Sequence, residues 1–294
     1  MTVVPSRTAR VYRSETAERS VHAWCHKAIS RWPDLGPLPP VDTHMGSTQA
    51  FRASGGPGTP VLVLSGTNFN AATTVPAARA LAGDRPVYLV DLPGQPGLSC
   101  GERVGRPGIE AYGAWLDELL PRITDGPVLL LGHSRGAAIA LASTPSSLVA
   151  GLLLLNPAGL TAPGMTSESM RATLPWMLRP TEQTSGRLVE FLSGPQTPCD
   201  EPREEAEWLT LVARSCRTGS TPSPLHAEQI RAWSDTPVAV ATGSHDPFFS
   251  PARLHGPARR FLDAEVHTIE GAGHLSLYES PEQVNGLLRS LDPR

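Results

Sequence analysis

The chain has 294 residues, 25 Lys+Arg against 28 Asp+Glu for a formal net charge of -3, and is 40% hydrophobic but only 18% charged. That length suits one medium α/β domain with an insertion, and the apolar share can fill a sizeable core. The absence of a basic surplus argues against a nucleic-acid partner. No stretch of eighteen apolar residues could span a membrane, and the opening MTVVPSRTARVYRS lacks a signal-peptide apolar core. We therefore expect a cytoplasmic protein with no membrane partner. Cys25, Cys100, Cys199 and Cys216 are scattered without CxxC spacing, so neither a metal site nor a disulfide framework is expected, and reduced thiols are the default. Pro (30) and Gly (27) together make about a fifth of the chain, and Lys27 is its only lysine. The Pro and Gly alternate with solid runs of Val, Leu and Ala, which reads as many tight connections rather than disorder.

Residues 1–48 read as an N-terminal helical extension. Ser14 is placed to cap a helix in which Val21, Trp24, Cys25, Ala28 and Ile29 form one apolar stripe. The stripe is expected to dock on the chain's own core, with dimerisation as the alternative. Gly55-Gly56-Pro57-Gly58 precedes a strand instead of joining a strand to a helix, so it reads as a hairpin turn and not a phosphate loop. From there short apolar runs recur: Val61 to Leu64, Val87 to Val90, Val128 to Leu131, Leu152 to Leu155, Val238 to Ala241 and Val266 to Ile269. Continuous rather than alternating runs indicate strands buried on both faces, hence a parallel sheet. Helical spacing fills the gaps over Ala71 to Ala82, Ile109 to Ile123, Gly136 to Ser143, Arg253 to Leu262 and Glu282 to Leu291. Strand then helix, repeated, predicts right-handed βαβ units. We assign residues 49–159 and 237–294 to this α/β core.

The rhythm breaks over residues 160–236, which hold helix-like pieces at about Thr181 to Leu192, Arg203 to Ser215 and Pro224 to Trp233, joined by Gly194-Pro195 and Thr221-Pro222-Ser223-Pro224. An insertion at a strand end reads as a helical cap over a site, the alternative being extra helices on one sheet face. Trp176 and Met177 within it are the candidate substrate-binding residues.

The pattern G-x-S-x-G occurs at Gly97–Gly101 and at Gly132–Gly136. Ser99 follows a string of turn formers and reads as a loop serine. Ser134 stands between the strand Val128-Leu129-Leu130-Leu131 and the helical run Ala137 to Ala142, the strand–turn–helix setting of a nucleophile elbow. A serine hydroxyl needs a base, and the base an orienting acid. Asp246 follows the strand run Val238 to Ala241, and His274 follows Val266 to Ile269 after the turn Gly271-Ala272-Gly273. His267 lies within a strand, His245 is turned away by strand alternation, and His133 beside the nucleophile is expected to serve packing. Backbone N–H groups of Arg135 and Thr67 are the expected oxyanion donors.

Gly132-His133-Ser134-Arg135-Gly136, Gly243-Ser244-His245-Asp246, Gly271-Ala272-Gly273-His274 and Asp91-Leu92-Pro93-Gly94 together resemble the α/β-hydrolase superfamily of serine hydrolases, over roughly residues 50 to 291. The resemblance implies an α/β fold with a mostly parallel eight-stranded sheet flanked by helices, and a cap inserted after a sixth strand at Leu152 to Leu155. Two positions depart from the family pattern. Ser65-Gly66 stands where His-Gly is common, and Arg135 is large and charged, its side chain expected to meet a carboxylate of the cap or substrate, or to form a surface salt bridge.

The leading expectation is an enzyme that needs no cofactor, in which Ser134 attacks an ester, thioester or lactone of a small-molecule acyl substrate, with a monomer or homodimer as its state. The alternatives are an acyltransferase or cyclase with the same triad, a carbon–carbon bond hydrolase or lyase, and a non-catalytic binding scaffold.

Overall fold

The computed structural model describes residues 8–104, 108–195, 204–217, 219 and 222–292. In chain order the first elements are β1 (Thr8–Arg10), α1 (Glu15–Ile29), β2 (Leu35–Pro37), β3 (Val41–Thr43), β4 (Gly46–Thr48), β5 (Ala50–Ala53), β6 (Val61–Leu64), α2 (Ala71–Ala82), β7 (Val87–Val90) and β8 (Glu102–Val104). They continue with α3 (Ile109–Ile123), β9 (Val128–His133), α4 (Arg135–Ala142), β10 (Val149–Leu155), α5 (Ser167–Leu178), α6 (Glu182–Leu192), α7 (Glu204–Ser215) and α8 (Ala227–Arg231). The last are β11 (Val238–Gly243), α9 (Pro251–Leu262), β12 (Val266–Ile269), α10 (Ser276–Glu279) and α11 (Pro281–Ser290).

Eight strands form one sheet in the order β12-β11-β10-β9-β6-β7-β5-β2. All neighbours from β12 to β7 are parallel, and β5 and β2 add antiparallel pairings at the edge. This is the α/β-hydrolase arrangement that the motifs imply, and β10 is the sixth strand of the sheet in chain order. Successive side chains of each strand enter different cores, as a period of two requires. Leu62, Leu64, Leu130, Leu152 and Leu154 pack with α3, α4 and α9, whereas Val61, Val63, Leu129, Leu131, Leu153 and Leu155 pack with α2 and α11. Each fully buried Val or Leu contributes roughly 1.5–3 kcal/mol, so burial on both faces explains the continuous apolar runs.

The N-terminal stripe does pack within the chain. Ser14 accepts the Ala17 N–H at 3.1 Å as N-cap, and Val21, Trp24, Cys25 and Ala28 are buried, Trp24 lying 4.6 Å between ring centroids from Trp208 on α7. Helices α6 and α7 join α1, Phe69 and Ala72 in a third apolar cluster. Trp233 and Ile230, at the far end of the stretch between β10 and β11, belong instead to the α3/α4 layer, where the Trp233 indole donates to Leu141 O at 3.1 Å.

The Gly55–Gly58 cluster is not a hairpin turn, because β5 pairs with β7, and β7 separates it from β6 in the sheet. Its glycines instead let the β5–β6 connection cross tightly over the entry to β7: a Cβ on Gly55 would sit 2.0 Å from Arg85 O and one on Gly56 2.5 Å from Asp84 O. Helix α5, capped by the Thr166/Ser169 box, is an element that the sequence reading lacks. Helix α8 is shorter than the expected Pro224 to Trp233 piece. Cys25, Cys100 and Cys216 are free thiols. Cys199, Arg203 and Thr221 lie outside the described residues.

Candidate active site

Ser134 sits between β9 and α4 with φ 52° and ψ −111°, a backbone geometry that L-residues adopt only under constraint. The glycines on either side explain how it is reached. A Cβ on Gly132 would lie 2.5 Å from Ala137 Cα, and one on Gly136 would lie 1.9 Å from Leu64 O. Strand and helix can therefore approach only with both side chains absent. The turn is tied to β10 by Ser134 N–H donating to Leu155 O at 2.9 Å.

Asp246 follows β11 and His274 follows β12, so the parallel register brings their loops and the Ser134 turn together at the carboxyl ends of β11, β12 and β9, with β10 between β9 and β11. Ser134 Oγ lies 3.1 Å from His274 Nε2, and His274 Nδ1 lies 2.9 Å from Asp246 Oδ2. Asp246 is buried; its Oδ1 accepts the Phe248 and Phe249 N–H groups at 2.8 and 3.0 Å. Burial alone would raise its pKa, but the charge of His274, the ring hydrogen bond, the Phe249 N–H and the Asn156 amide prevail and hold the carboxyl well below the usual carboxylate range. Phe248 and Phe249 also flank the His274 ring at centroid distances of 5.2 and 5.8 Å.

Asn156, at the end of β10, is a residue the sequence reading missed. It holds φ 47°, is fully buried, and donates to Asp246 Oδ2 at 2.8 Å and Gly273 O at 3.1 Å while accepting from Ser276 Oγ. It thus connects the acid loop to the histidine loop. The available signal was its place: an Asn closing a buried strand, next to the strand that carries Ser134.

The other histidines fall away from the reacting geometry. His133 is buried, and its Nε2 pairs with His274 O at 2.7 Å. Burial first, then the charge of His274, pull its pKa down to about 3. It is therefore neutral, with Nε2–H donating to that carbonyl. His267 lies on β12, and His245 pairs with the Ser244 hydroxyl at 3.0 Å. Ser99 is a loop serine, donating to Asp91 O at 2.6 Å.

Arg135 opens α4, and the loop after β6 carrying Thr67 faces it. Its guanidinium is buried: Nε–H donates to Thr67 Oγ1 at 3.1 Å and the group lies 5.9 Å from the Tyr112 ring centroid. Ser65 Oγ at 3.2 Å from Thr74 Oγ1, and the Trp208 indole donating to Asn68 O at 2.7 Å, fix the same loop. These contacts support it where His-Gly is absent.

A cavity of about 240 Å³ opens over Ser134 and His274. Gly66, Thr67 and Asn68 line one side, and Met165, Thr173, Trp176, Met177 and Leu188 line the other. Trp176 and Met177 thus both reach it, Trp176 from a buried position and Met177 from an exposed one. Among the described residues, no group of three or more His, Cys, Asp or Glu could hold a metal ion, and no helix is long and apolar enough to cross a membrane.

The sequence profile of the alpha/beta hydrolase family matches residues 55–287, and the chain belongs to that family. It superposes on carboxylesterase CesB from Bacillus subtilis (TM-score 0.74, 15% identity, 94% of this chain and 98% of that one) and on naproxen esterase from Bacillus subtilis (0.73, 17%, 94% and 96%). It also superposes on the N-acyl homoserine lactonase AidH (0.65, 19%, 86% and 94%). At these identities the likeness is one of fold. No curated protein matches the sequence.

Proposed function

We propose that the protein is a serine hydrolase cleaving esters, thioesters or lactones of small-molecule acyl substrates with a mainly apolar acyl group. The observation that carries this reading is the contiguous chain Ser134 Oγ, His274 Nε2, His274 Nδ1 and Asp246 Oδ2, with separations of 3.1 and 2.9 Å, beneath a mainly apolar cavity. His274 takes the Ser134 proton as Oγ attacks the substrate carbonyl. Asp246, fixed by Asn156 and two backbone N–H groups, orients the ring and stabilises the imidazolium. The N–H groups of Thr67 and Arg135 receive the developing oxyanion. His274 then protonates the leaving group, an acyl group stays on Ser134, and water activated by His274 releases the acid in the second half. Within the insertion between β10 and β11, α5 and α6 act as a cap, because Thr173, Trp176, Met177 and Leu188 roof the cavity.

Ester kinetics with p-nitrophenyl butyrate test the reading. The wild type should turn over through an acyl-enzyme, and Ser134→Ala should lose at least about 10⁴-fold in kcat. Retention of the wild-type rate by Ser134→Ala would refute it.

A further inference from the structure

Among the described residues the exposed large hydrophobic side chains are Met165, Met170, Leu174, Met177 and Leu178, each between 48% and 70% exposed. All five fall on α5 or just before it, in one segment that also lines the cavity over Ser134. Exposed Leu or Met scattered singly needs no explanation, whereas a contiguous patch adjoining a cavity does.

We propose that this outward face of α5 binds the distal part of a long acyl chain whose carbonyl lies at Ser134, so that long-chain esters are the substrate class of the site. This rests on the acyl-enzyme reading given above.

Helical geometry supplies the path. Stepping 100° per residue from the cavity-facing Thr173, Met177, Met170, Leu174 and Leu178 follow in order at about 40°, 60°, 100° and 140° around α5. The buried Trp176 lies on the other side of Thr173, at about −60°. From the cavity-facing Thr173, four apolar side chains therefore lead toward the solvent face, with Ser167 of the first turn at about 120° among them and Ser169 between Thr173 and Trp176. Met165 and Met177 belong to both parts, lining the cavity while remaining exposed. Met165 and Met177 stand where the cavity passes into the exposed sector, so a chain too long for the cavity leaves it there. Methionine suits such a rim because its unbranched side chain can repack around chains of different length. Each methylene taken fully from water raises affinity about fourfold, the equivalent of about 0.8 kcal/mol. On an open face part of that gain is realised. A second copy of the chain seated on the same residues would instead cover the cavity mouth, which is why an acyl chain is the occupant chosen.

The test compares p-nitrophenyl butyrate with p-nitrophenyl dodecanoate, both below their aggregation thresholds, for the wild type and for the triple variant Met170→Gln, Leu174→Gln, Leu178→Gln. The variant should keep kcat/KM for butyrate within about twofold and lose about tenfold or more for dodecanoate, through KM. Restoring Leu174 as Met in the variant should recover part of the loss. An unchanged dodecanoate rate, or an equal loss on both esters, overturns the proposal. So does light scattering that finds a wild-type dimer and a variant monomer, since the face would then be an interface between copies. If the wild type hydrolyses neither ester, the acyl-enzyme reading itself falls and the proposal with it; butyrate turnover without a dodecanoate effect removes only the outer site.

Discussion

Arg135 Nε–H donates to Thr67 Oγ1 at 3.1 Å, so the side chain of the residue after Ser134 holds the loop opposite it. The two residues proposed to supply oxyanion N–H groups are thus joined through their side chains. Removing one oxyanion donor costs about 10²–10³ in rate; loosening one should cost less. Arg135→Met is expected to lower kcat about 10- to 100-fold with KM within about threefold, and Thr67→Val should behave alike. The double variant should lose less than the two single losses combined, because both substitutions break the shared Arg135–Thr67 contact. Steady-state kinetics of the three proteins checks this.

Asn156 links Asp246 to the backbone of the His274 loop. Asn156→Leu would leave one buried carboxylate oxygen with a lost donor, which costs roughly 1–3 kcal/mol. We expect a stability loss of about that size in denaturant titrations, together with a fall of about tenfold or more in kcat as the ring of His274 loses its fixed partner.

Two buried groups give opposing pH dependences. Burial first, countered in part by N–H bonds from Leu98 and Ala71, raises Asp91 to about 6, whereas burial and His274 lower His133 to about 3. Between about pH 4 and 6 the folded state holds the extra proton on Asp91, so that group stabilises as pH falls. Below about pH 6.5 the unfolded state holds the extra proton on His133, so that group destabilises as pH falls. The two slopes, each up to about 1.4 kcal/mol per pH unit, cancel in the shared window. Asp91→Asn should therefore steepen the loss of stability on acidification, and His133→Gln should reverse it, as followed by urea midpoints from pH 4 to 6.5. Asp246 adds a further loss as pH falls into and below the ordinary carboxylate range, since its native pKa is depressed.

Gly136 faces Leu64 O so closely that an added Cβ would lie 1.9 Å away. Gly136→Ala is expected to lower stability by at least about 3 kcal/mol, or to prevent soluble folding. Thermal unfolding checks it, with the open-sided Gly186→Ala as the tolerated comparison.

Much of this architecture is legible in the chain itself. Val61–Leu64, Val87–Val90, Ala71–Ala82 and Ile109–Ile123 have the bounds their apolar patterns predict, because burial on both faces or on one stripe writes itself into the sequence. Ser134, Asp246 and His274 are legible for another reason: each closes a predicted strand, and a parallel sheet gathers strand ends. The edge pairing of β5 with β7 is not legible, since three or four residues carry no partner information and the nearer β6 invites a hairpin. Helix α5 escapes because its apolar residues face outward, so periodicity does not signal burial. Asn156 escapes because a single hydrogen-bonding residue has no pattern, and the Arg135 contact because its partner lies 68 positions away in the chain.

Labelling with a fluorophosphonate, followed by intact mass and peptide mapping, reports whether Ser134 is the nucleophile. One adduct per chain is expected, on Ser134, absent from Ser134→Ala and strongly slowed in His274→Ala. An adduct on another residue, or equal labelling of the Ser134→Ala protein, would contradict it.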